Sequence, residues 1–160
     1  MPDAEYPLHL FRFQVDFSRM SLGDVEAPGN KQICQGAFSE CTGLEATMEP
    51  KAIRGGGWNY GVRQRVGPVT FGTVILKRGV TRSSDLWKWF SFVNEEAKYK
   101  YRLNVTIHVA EPVQEPPGKG LTISLFRALP VKFKCGDLSA RATEVGIEEL
   151  HLAHEGLRFQ

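Results

Sequence analysis

One segment in the second half of the chain alternates apolar and polar residues over its whole length. Residues 100–109 read KYRLNVTIHV, in which one set of alternate residues is apolar or aromatic and the other set is polar. Successive side chains of a β-strand point to opposite faces of a sheet, whereas a helix would mix the two sets on every face. The segment is therefore predicted to be a strand with one buried and one polar face.

Six further segments favour strands, because they alternate or are rich in β-branched and aromatic residues. They are residues 8–17, 33–44, 69–80, 121–128, 131–135 and 143–155. Pro130 is expected to separate the fourth segment from the fifth, since proline cannot donate to a ladder. In the last segment the apolar phase slips between Ile147 and Leu150, and we expect a β-bulge near Glu148 and Glu149.

A single amphipathic helix is predicted after residue 82. Ser83, Ser84 and Asp85 supply candidate N-caps. Apolar residues follow at i, i+3, i+4 and i+7, namely Leu86, Trp89, Phe90 and Val93. About seven strands and one helix predict a mainly β (α+β) fold, an antiparallel β-sandwich or barrel with one flanking α-helix. At 160 residues we expect a single domain that spans residues 1–160.

Charge is distributed unevenly along the chain. The net charge is −5 over residues 1–50, +8 over residues 51–102 and −1 over residues 103–160. Two interpretations fit this pattern. Either the basic middle binds an anionic partner, or acidic and basic faces meet between copies of the protein.

The segment IRGGGWNYGVRQRVG, residues 53–67, follows neither the helix nor the strand period. It mixes cations with rings that stack on bases, as single-strand binders do. The residues concerned are Arg54, Trp58, Tyr60, Arg63 and Arg65. A nucleic-acid-binding β domain is therefore an alternative function, and a solvated basic loop is the plain structural interpretation.

The motifs of common catalytic and cofactor sites are missing from the sequence. No G-K-[ST] follows the glycine-rich segment, so a P-loop is not expected. His151 and His154 would lie on opposite faces of a strand, as would the adjacent Glu148 and Glu149, which disfavours a metal pair and a carboxylate pair. We expect no cofactor, no metal and no enzymatic activity.

The cysteines and the N-terminus predict a protein made and folded in the cytoplasm. Three cysteines without a C-x-x-C pair favour reduced thiols over a disulfide scaffold. The sequence MPDAEYPLHLF lacks the pattern of a signal peptide, and no apolar run approaches the ~20 residues of a membrane helix. We expect assembly in the bacterial cytoplasm, without membrane insertion.

Six motifs follow one another in a specific order. They are F-x-F-x-V (Phe11, Phe13, Val15), F-S-E-x-x-G-L (38–44), R-G-G-G (54–57), V-x-L-K-R-G-V (74–80), L-W-x-W (86–89) and E-V-x-I-E-x-L-x-L-x-H-E-G-L (144–157). In order, spacing and total length, the chain resembles the tail tube proteins of contractile phages and of phage-tail-like, extracellular contractile injection systems. That family is related in fold to the Hcp tube of type VI secretion.

The resemblance implies a structural role for the chain. It implies homohexameric rings, in which an inner sheet completes a hexameric β-barrel, stacked head to tail inside a contractile sheath. The implied partners are the sheath protein, baseplate or spike proteins, tail-terminator proteins and a lumen cargo of protein effector or DNA. The particle would be a virion tail or a released injection particle. An alternative within the family is the initiating ring that joins the baseplate to the tube.

The resemblance also suggests three sets of contact residues. The segment after the F-S-E-x-x-G-L motif would reach the neighbouring ring, with Glu45, Glu49, Lys51, Arg54, Gly55, Gly56, Gly57, Trp58, Tyr60, Arg63 and Arg65 as stacking residues. The strands at 69–80, 100–110 and 143–155 would form the inner wall. Lumen-facing residues would be Arg102, Asn104, Thr106 and His108, although this row equally fits the sheath side. Sheath contacts would be Lys88, Asn94, Glu95 and Lys98, or these residues simply form a solvated helix face.

Overall fold

The computed structural model describes residues 13–19, 38–96, 101–109, 120–141 and 143–160. Lys98, Phe11 and Cys34 lie outside the described residues, as do parts of the strands predicted at 8–17 and 33–44. Within the described ranges the elements are β1 (Phe13–Arg19), β2 (Glu40–Thr42), β3 (Ala46–Met48), β4 (Lys51–Ile53), β5 (Arg63–Arg65), β6 (Val69–Phe71), β7 (Val74–Gly79), α1 (Asp85–Asn94), β8 (Leu103–Val109), β9 (Leu121–Cys135), β10 (Ile147–Ala153) and β11 (Gly156–Phe159).

Two antiparallel layers share the long strand β9. In the first layer the strand order is β1, β8, β9 and β11, and in the second it is β9, β10, β7 and β2. The first half of β9 pairs with β8 and β11, and its second half pairs with β10. These seven strands and the single helix confirm the predicted mainly β fold with a flanking helix. Four short strands, β3 to β6, are added outside the two layers.

Strand β9 is one strand of 15 residues, so the predicted interruption at Pro130 is wrong. Pro130 is buried and lies opposite Leu152 of β10, and the register shifts at the next residue of β9. A bulge leaves one residue out of the ladder, which accommodates a proline that has no N–H to donate. The strand therefore passes from one layer to the other without ending.

A second irregularity in β9 lies where the strand leaves the first layer. Arg127 has a φ of 53°, in the left-handed region, and two residues of β9 face the single Asn104 of β8. The Asn104 Oδ1 atom accepts a hydrogen bond of 3.1 Å from the backbone N–H of Arg127. This contact satisfies a backbone donor that the bulge removes from the ladder. It explains why Asn104 stands in this position.

The core fills the space between the two layers and is closed by the helix. Inward-facing residues alternate along β8 and β10 as the strand period requires. The helix contributes Leu86, Trp89 and Val93, which are all buried, and the Trp89 ring packs edge-on against Phe17 of β1 at 5.6 Å. The predicted apolar stripe is confirmed, with Phe90 partly buried at its margin. The Ser84 side chain makes no capping hydrogen bond.

A buried guanidinium links β7, β10 and the start of the helix. Arg78 is 1% exposed, and its Nε lies 2.5 Å from the Glu148 Oε1 atom while its terminal nitrogens contact the Asp85 carboxylate. The Phe38 ring covers the guanidinium at 5.6 Å. Burial lowers the pKa of Arg78, but the hydrogen bonds and charges of Asp85 and Glu148 outweigh it and raise the pKa above its ordinary value.

The predicted bulge near Glu148 and Glu149 is wrong, and this ion pair is the reason. Glu148 is buried in phase with Leu150, whereas Ile147 is exposed. The strand therefore keeps its period of two through both glutamates. Its pairing with β7 is continuous from Ile147 to Leu152. In the sequence the apolar phase slips because the Glu148 carboxylate occupies a core position.

Replacement of Glu148 by alanine should destabilise the fold strongly. The change removes the Glu148 carboxylate from the buried Arg78 guanidinium, and breaking such a buried pair costs about 3 kcal/mol or more. The matched control is Glu149→Ala, one residue later on the opposite face of β10, which should cost less than about 1 kcal/mol. Denaturant unfolding measures both values, and equal losses for the two variants would contradict the ion-pair assignment.

Residues 45–72 form a long hairpin, here called the arm. Among the described strands β3 pairs only with β6, and β4 pairs only with β5. Pro50 and Pro68 interrupt the ladder between these two short sheets, because neither can donate a hydrogen bond. The backbones cross closely there, and a Cβ on Gly67 would lie 1.7 Å from the Glu49 carbonyl oxygen. No strand or helix is predicted for most of this segment, so its hairpin is a finding of the structure.

The arm begins at a glycine that the backbone requires. Gly43 has a φ of +83°, and a Cβ at this position would lie 2.0 Å from the Thr73 carbonyl oxygen. The opposite strand of the arm passes Gly43 at this point, just before β7 begins. A side chain here is therefore excluded by both conformation and space. The glycine of the F-S-E-x-x-G-L motif fixes where the arm leaves the body.

The Gly43→Ala variant should lose about 2 kcal/mol of unfolding free energy, since it combines a strained φ with a clash against backbone. The control is Gly55→Ala near the end of the arm, where a Cβ would meet nothing within 4 Å. Its stability should be unchanged or raised by up to ~1 kcal/mol. Thermal unfolding of both variants tests this, and a fully stable Gly43→Ala protein would refute it.

Candidate assembly surfaces

The arm has no buried residue beyond its root. From residue 45 to residue 66 every side chain is exposed except that of Ile53, which is partly exposed. Large apolar side chains are among them: Tyr60 is 95% exposed, Val66 83% and Trp58 46%. A segment of this size without a core gains almost nothing from burial inside its own subunit. The exposed apolar side chains are typical of a surface that contacts another protein.

The outer half of the arm, residues 51–66, carries four cations and no acidic residue. Lys51 lies directly opposite Arg65 across the β4–β5 pair, which is an unfavourable like-charge contact. None of the four cations forms an ion pair with another described residue. The Arg63 guanidinium lies 5.6 Å from the centre of the Trp58 ring, so these two predicted residues contact each other.

The three consecutive glycines of the arm differ in conformation. Gly57 has a φ of +84°, and the Trp58 N–H donates to the Gly55 carbonyl across this turn at 3.4 Å. Gly55 and Gly56 do not have positive φ values, and a Cβ on either would meet nothing within 4 Å. Their lack of a side chain is therefore not required by the subunit itself. It leaves bare backbone at the surface of the arm.

The predicted row on β8 lies on a continuous polar face of the first layer. Asn104, Thr106 and His108 alternate with buried Leu103, Val105 and Ile107. The neighbouring strands place polar residues in the same rows, which are Gln14, Asp16 and Ser18 on β1, and Thr122 and Ser124 on β9. We call this set the polar face. It is wider than the sequence pattern of β8 alone indicates.

The charged side chains of the polar face and its margin are linked by ion pairs and hydrogen bonds. The His108 Nε2 atom lies 3.5 Å from the Asp16 carboxylate, and its Nδ1 lies 3.4 Å from the Thr122 hydroxyl. At the margin, Arg102 donates to Glu155 at 2.9 Å. Arg127 Nε lies 2.7 Å from the other oxygen of Glu155, but its hydrogen is not in line with an acceptor, so this contact is ionic only.

The three segments that the sequence suggests for one inner wall do not share a layer. Strand β8 belongs to the first layer, whereas β7 and β10 pair with each other in the second. The segment 69–80 is also divided at Gly72 and Thr73 into an arm strand and a body strand. Alternation marks a two-faced strand but carries no information on which sheet it joins.

The helix residues suggested for sheath contact differ in their surroundings. Lys88, Asn94 and Glu95 are exposed, and Asn94 donates through its side chain to the Phe90 carbonyl at 2.8 Å. Trp87, which was not among the suggested residues, is 44% exposed and packs against Phe133 of β9 at 5.5 Å. In the sequence, Trp87 lies outside the apolar stripe of the helix, and this position is the signal that predicts an aromatic side chain at the surface.

A recess at the loop between β9 and β10 was not predicted. Residues 136–140 and 144–147 line a volume of about 740 Å³, here called the loop recess. Asp137 and Glu144 line it together with Leu138, which is 90% exposed, and Val145, which is 76% exposed. The Gly136 N–H donates to the Ile147 carbonyl at 2.7 Å and closes its neck. Apolar residues in a loop between two strands are the sequence signal that marks such a surface.

Among the described residues the two histidines near the end of β10 have separate contacts. His151 lies 3.4 Å from Glu149, whereas His154 contacts the Gly156 carbonyl and the Phe71 ring. Among the described residues no three His, Cys, Asp or Glu side chains are placed to hold a metal. Burial raises the pKa of the Cys41 thiol to about 11, which keeps it protonated. In the same ranges no helix has the length and apolar character to cross a membrane.

Comparisons with known proteins agree with this architecture. A chain in the six-fold symmetrised structure of the anti-feeding prophage baseplate is 28% identical, with a TM-score of 0.74 over 98% of this chain and 97% of that chain. A chain in the PVC sheath–tube complex, an extracellular contractile injection system in its extended state, is 17% identical, with a TM-score of 0.74 over 98% and 93%. An Hcp crystal structure shares the fold at 9% identity, with a TM-score of 0.57 over 92% and 91%.

The sequence itself is matched by one family model. No curated protein gives a significant match. The family described as the T4-like virus tail tube protein gp19 matches residues 9–158. The match covers nearly all of the 160 residues and includes both β-layers, the helix and the arm. The chain belongs to the T4-like virus tail tube protein gp19 family.

Proposed function

We propose that the protein is a structural subunit of the inner tube of a contractile injection apparatus. Copies close into hexameric rings, and the rings stack head to tail to enclose a channel inside a sheath. The observation that carries this proposal is the arm, which exposes apolar and cationic side chains and has no core of its own. Such a segment gains its burial in an assembly. Membership of the tail tube family supports the same conclusion.

Ring closure is assigned to the first layer. Strands β1 and β11 lie at its two edges, and neither pairs with a further described strand. Pairing of β1 of one copy with β11 of the next continues the sheet around the ring and removes both edges. The polar face then lines the channel, since polar side chains suit an aqueous lumen. We place Asn104, Thr106 and His108 of β8 there, together with Arg102, which directly precedes the strand.

Stacking between rings is assigned to the arm. Its cations require an acidic surface on the receiving subunit, and Trp58 and Tyr60 offer rigid area for contact. Gly55 and Gly56 let a neighbouring backbone approach closely. The remaining proposed stacking residues, Glu45, Glu49, Lys51, Arg54, Gly57, Arg63 and Arg65, belong to the same hairpin.

The proposed partners follow from the same surfaces. The exposed helix residues Lys88, Asn94 and Glu95, with Trp87, form the candidate sheath surface, and Lys98 belongs to it by sequence alone. Baseplate or spike proteins and a tail terminator would bind the two ends of the tube. The polar channel would pass a protein effector or DNA. We infer that the subunit does no chemistry, is assembled in the bacterial cytoplasm and acts in a virion tail or a released particle.

Electron microscopy of the purified protein over a concentration series, with mass from light scattering, tests this function. Six-fold rings or hollow filaments of uniform width are expected without any ligand. A protein that stays monomeric at every concentration and binds single-stranded DNA in a salt-dependent way would instead support the nucleic-acid-binding alternative. The two outcomes differ in both mass and ligand requirement.

Sequence identity favours a second and more specific role for the same subunit. The chain is 28% identical to a chain in the baseplate structure and 17% identical to one in the sheath–tube complex. We therefore keep the initiating ring, between baseplate and tube, as the second candidate. In the same micrographs, single rings that never stack indicate an initiating ring. Filaments of many layers indicate the bulk tube.

The Trp58→Ala variant should still fold but should stack poorly. Trp58 lies outside the core, so its unfolding free energy should change by less than about 1 kcal/mol. Loss of an interface tryptophan typically costs about 2 kcal/mol per contact, and since several arms act at each ring junction the concentration for stacking should rise by at least roughly 30-fold. The control is Trp87→Ala, a tryptophan of similar exposure on the helix, which should leave stacking unchanged. Sedimentation measures stacking, and wild-type stacking by Trp58→Ala would count against the arm.

A further inference from the structure

The arm and the loop recess lie at opposite ends of the second layer. The arm joins β7 at Val74, which pairs with Leu152 of β10. At the other end of the same pair Gly79 lies opposite Ile147, where the loop recess begins. Strand β7 has six residues, so roughly 17 Å separates the two ends. Copies stacked along this direction therefore bring the arm of one against the loop recess of the next.

The recess is held firmly at its neck. The Gly136 N–H donates to the Ile147 carbonyl at 2.7 Å, and the Val80 N–H donates to the Gly146 carbonyl at 2.8 Å. These bonds extend the ladders of β9, β10 and β7 into the loop. Its volume of about 740 Å³ is large enough to hold aromatic side chains of another chain. Binding to a surface that is already formed costs less conformational entropy than binding to a surface that must first become ordered.

The chemistry of the two surfaces is complementary. The recess combines the carboxylates of Asp137 and Glu144 with the exposed side chains of Leu138 and Val145. The outer half of the arm combines four cations with Trp58, Tyr60 and exposed valines, and it has no acidic residue. Arg141 is on the same loop but does not line the recess. Opposite charge next to apolar area on both sides favours direct docking.

We propose that the outer half of each arm docks into the loop recess of the next copy. The aromatic side chains lie against Leu138 and Val145, and the guanidinium groups of the arm pair with Asp137 and Glu144. The inference rests on the proposed stacking of rings and adds the surface that receives the arm. Because the two surfaces differ and lie at opposite ends, the contact is heterologous. Each added layer leaves a free arm at one end and a free recess at the other.

A charge exchange tests this pairing. The arm variant Arg63→Glu/Arg65→Glu and the recess variant Asp137→Lys/Glu144→Lys each place like charges at the junction. Each should raise the concentration needed for stacking by at least about tenfold, while rings still form. The chain that combines all four substitutions should regain stacking at least in part, because the exchanged positions again carry opposite charges. Stacking at the wild-type concentration by the recess variant would overturn the proposal.

The control for a general charge effect is Glu40→Lys on β2, an exposed acidic residue that belongs to none of the proposed surfaces. It should leave the stacking concentration unchanged. Circular dichroism of each variant confirms folding before assembly is compared. Failure of the combined variant to stack, with both parents folded, also counts against the pairing.

Crosslinking identifies the receiving surface directly and separates this inference from the function on which it rests. A photoreactive amino acid in place of Tyr60, in tubes assembled from ¹⁴N and ¹⁵N copies, should give mixed-isotope crosslinks to residues 136–147. Crosslinks to another surface in well-formed tubes would overturn the docking site and leave the tube function intact. Failure of the unmodified protein to assemble at all would contradict both.

Discussion

The buried guanidinium of Arg78 is the contact on which the rest of the body depends. It joins β7 to β10 through Glu148 and fixes the start of the helix through Asp85. Gly79 and Ile147, the next residues outward on the two strands, form the neck of the loop recess. We infer that an ion pair in this position contributes specificity more than stability, since replacement of a buried ion pair by apolar residues of similar volume is often neutral. The pair forms only when Glu148 lies opposite Arg78, so it favours a single register between β7 and β10. This register in turn sets the position of the loop recess.

The location of the buried residues decides which elements the sequence predicts and which it does not. Strand β8 and the helix were predicted correctly, because Leu103, Val105 and Ile107, and then Leu86 and Trp89, give each element one fully buried face. Periodicity reports burial, and burial decides these elements. The order of strands was not predictable in the same way. Register and layer membership depend on partners far along the chain.

Glu148 shows how a local pattern misleads. A glutamate among apolar residues suggests that the buried side of the strand changes at this point. The sequence therefore predicts a bulge, which the strand does not have. The partner that makes the buried carboxylate acceptable is 70 residues earlier in the chain. Pro130 is a similar case, because a bulge in the β9–β10 pair tolerates it. Both errors come from judging a residue by its type alone, when its environment sets the energy.

The arm was missed for the opposite reason, since it has no buried face to produce a period. The assignments of residues to ring, channel and sheath contacts go beyond what one chain determines, because the other half of each contact lies on another molecule. The exposed apolar side chains of the arm, and its cations that pair with no described acidic residue, are the features on which its proposed role in assembly rests. They do not by themselves identify its partner. The register of β7 and β10 is what places the loop recess at the opposite end of the layer from the arm.

An arm without a core also constrains the order of assembly. Ordering its backbone costs free energy that the subunit cannot recover from burial, so part of each docking contact is consumed in fixing the arm. A single junction between two free subunits is consequently weak. In the proposed tube, ring closure holds several arms side by side, so the junctions form together and their combined effect exceeds that of any one of them. Stacking should therefore follow ring closure, and growth should add whole rings rather than single subunits.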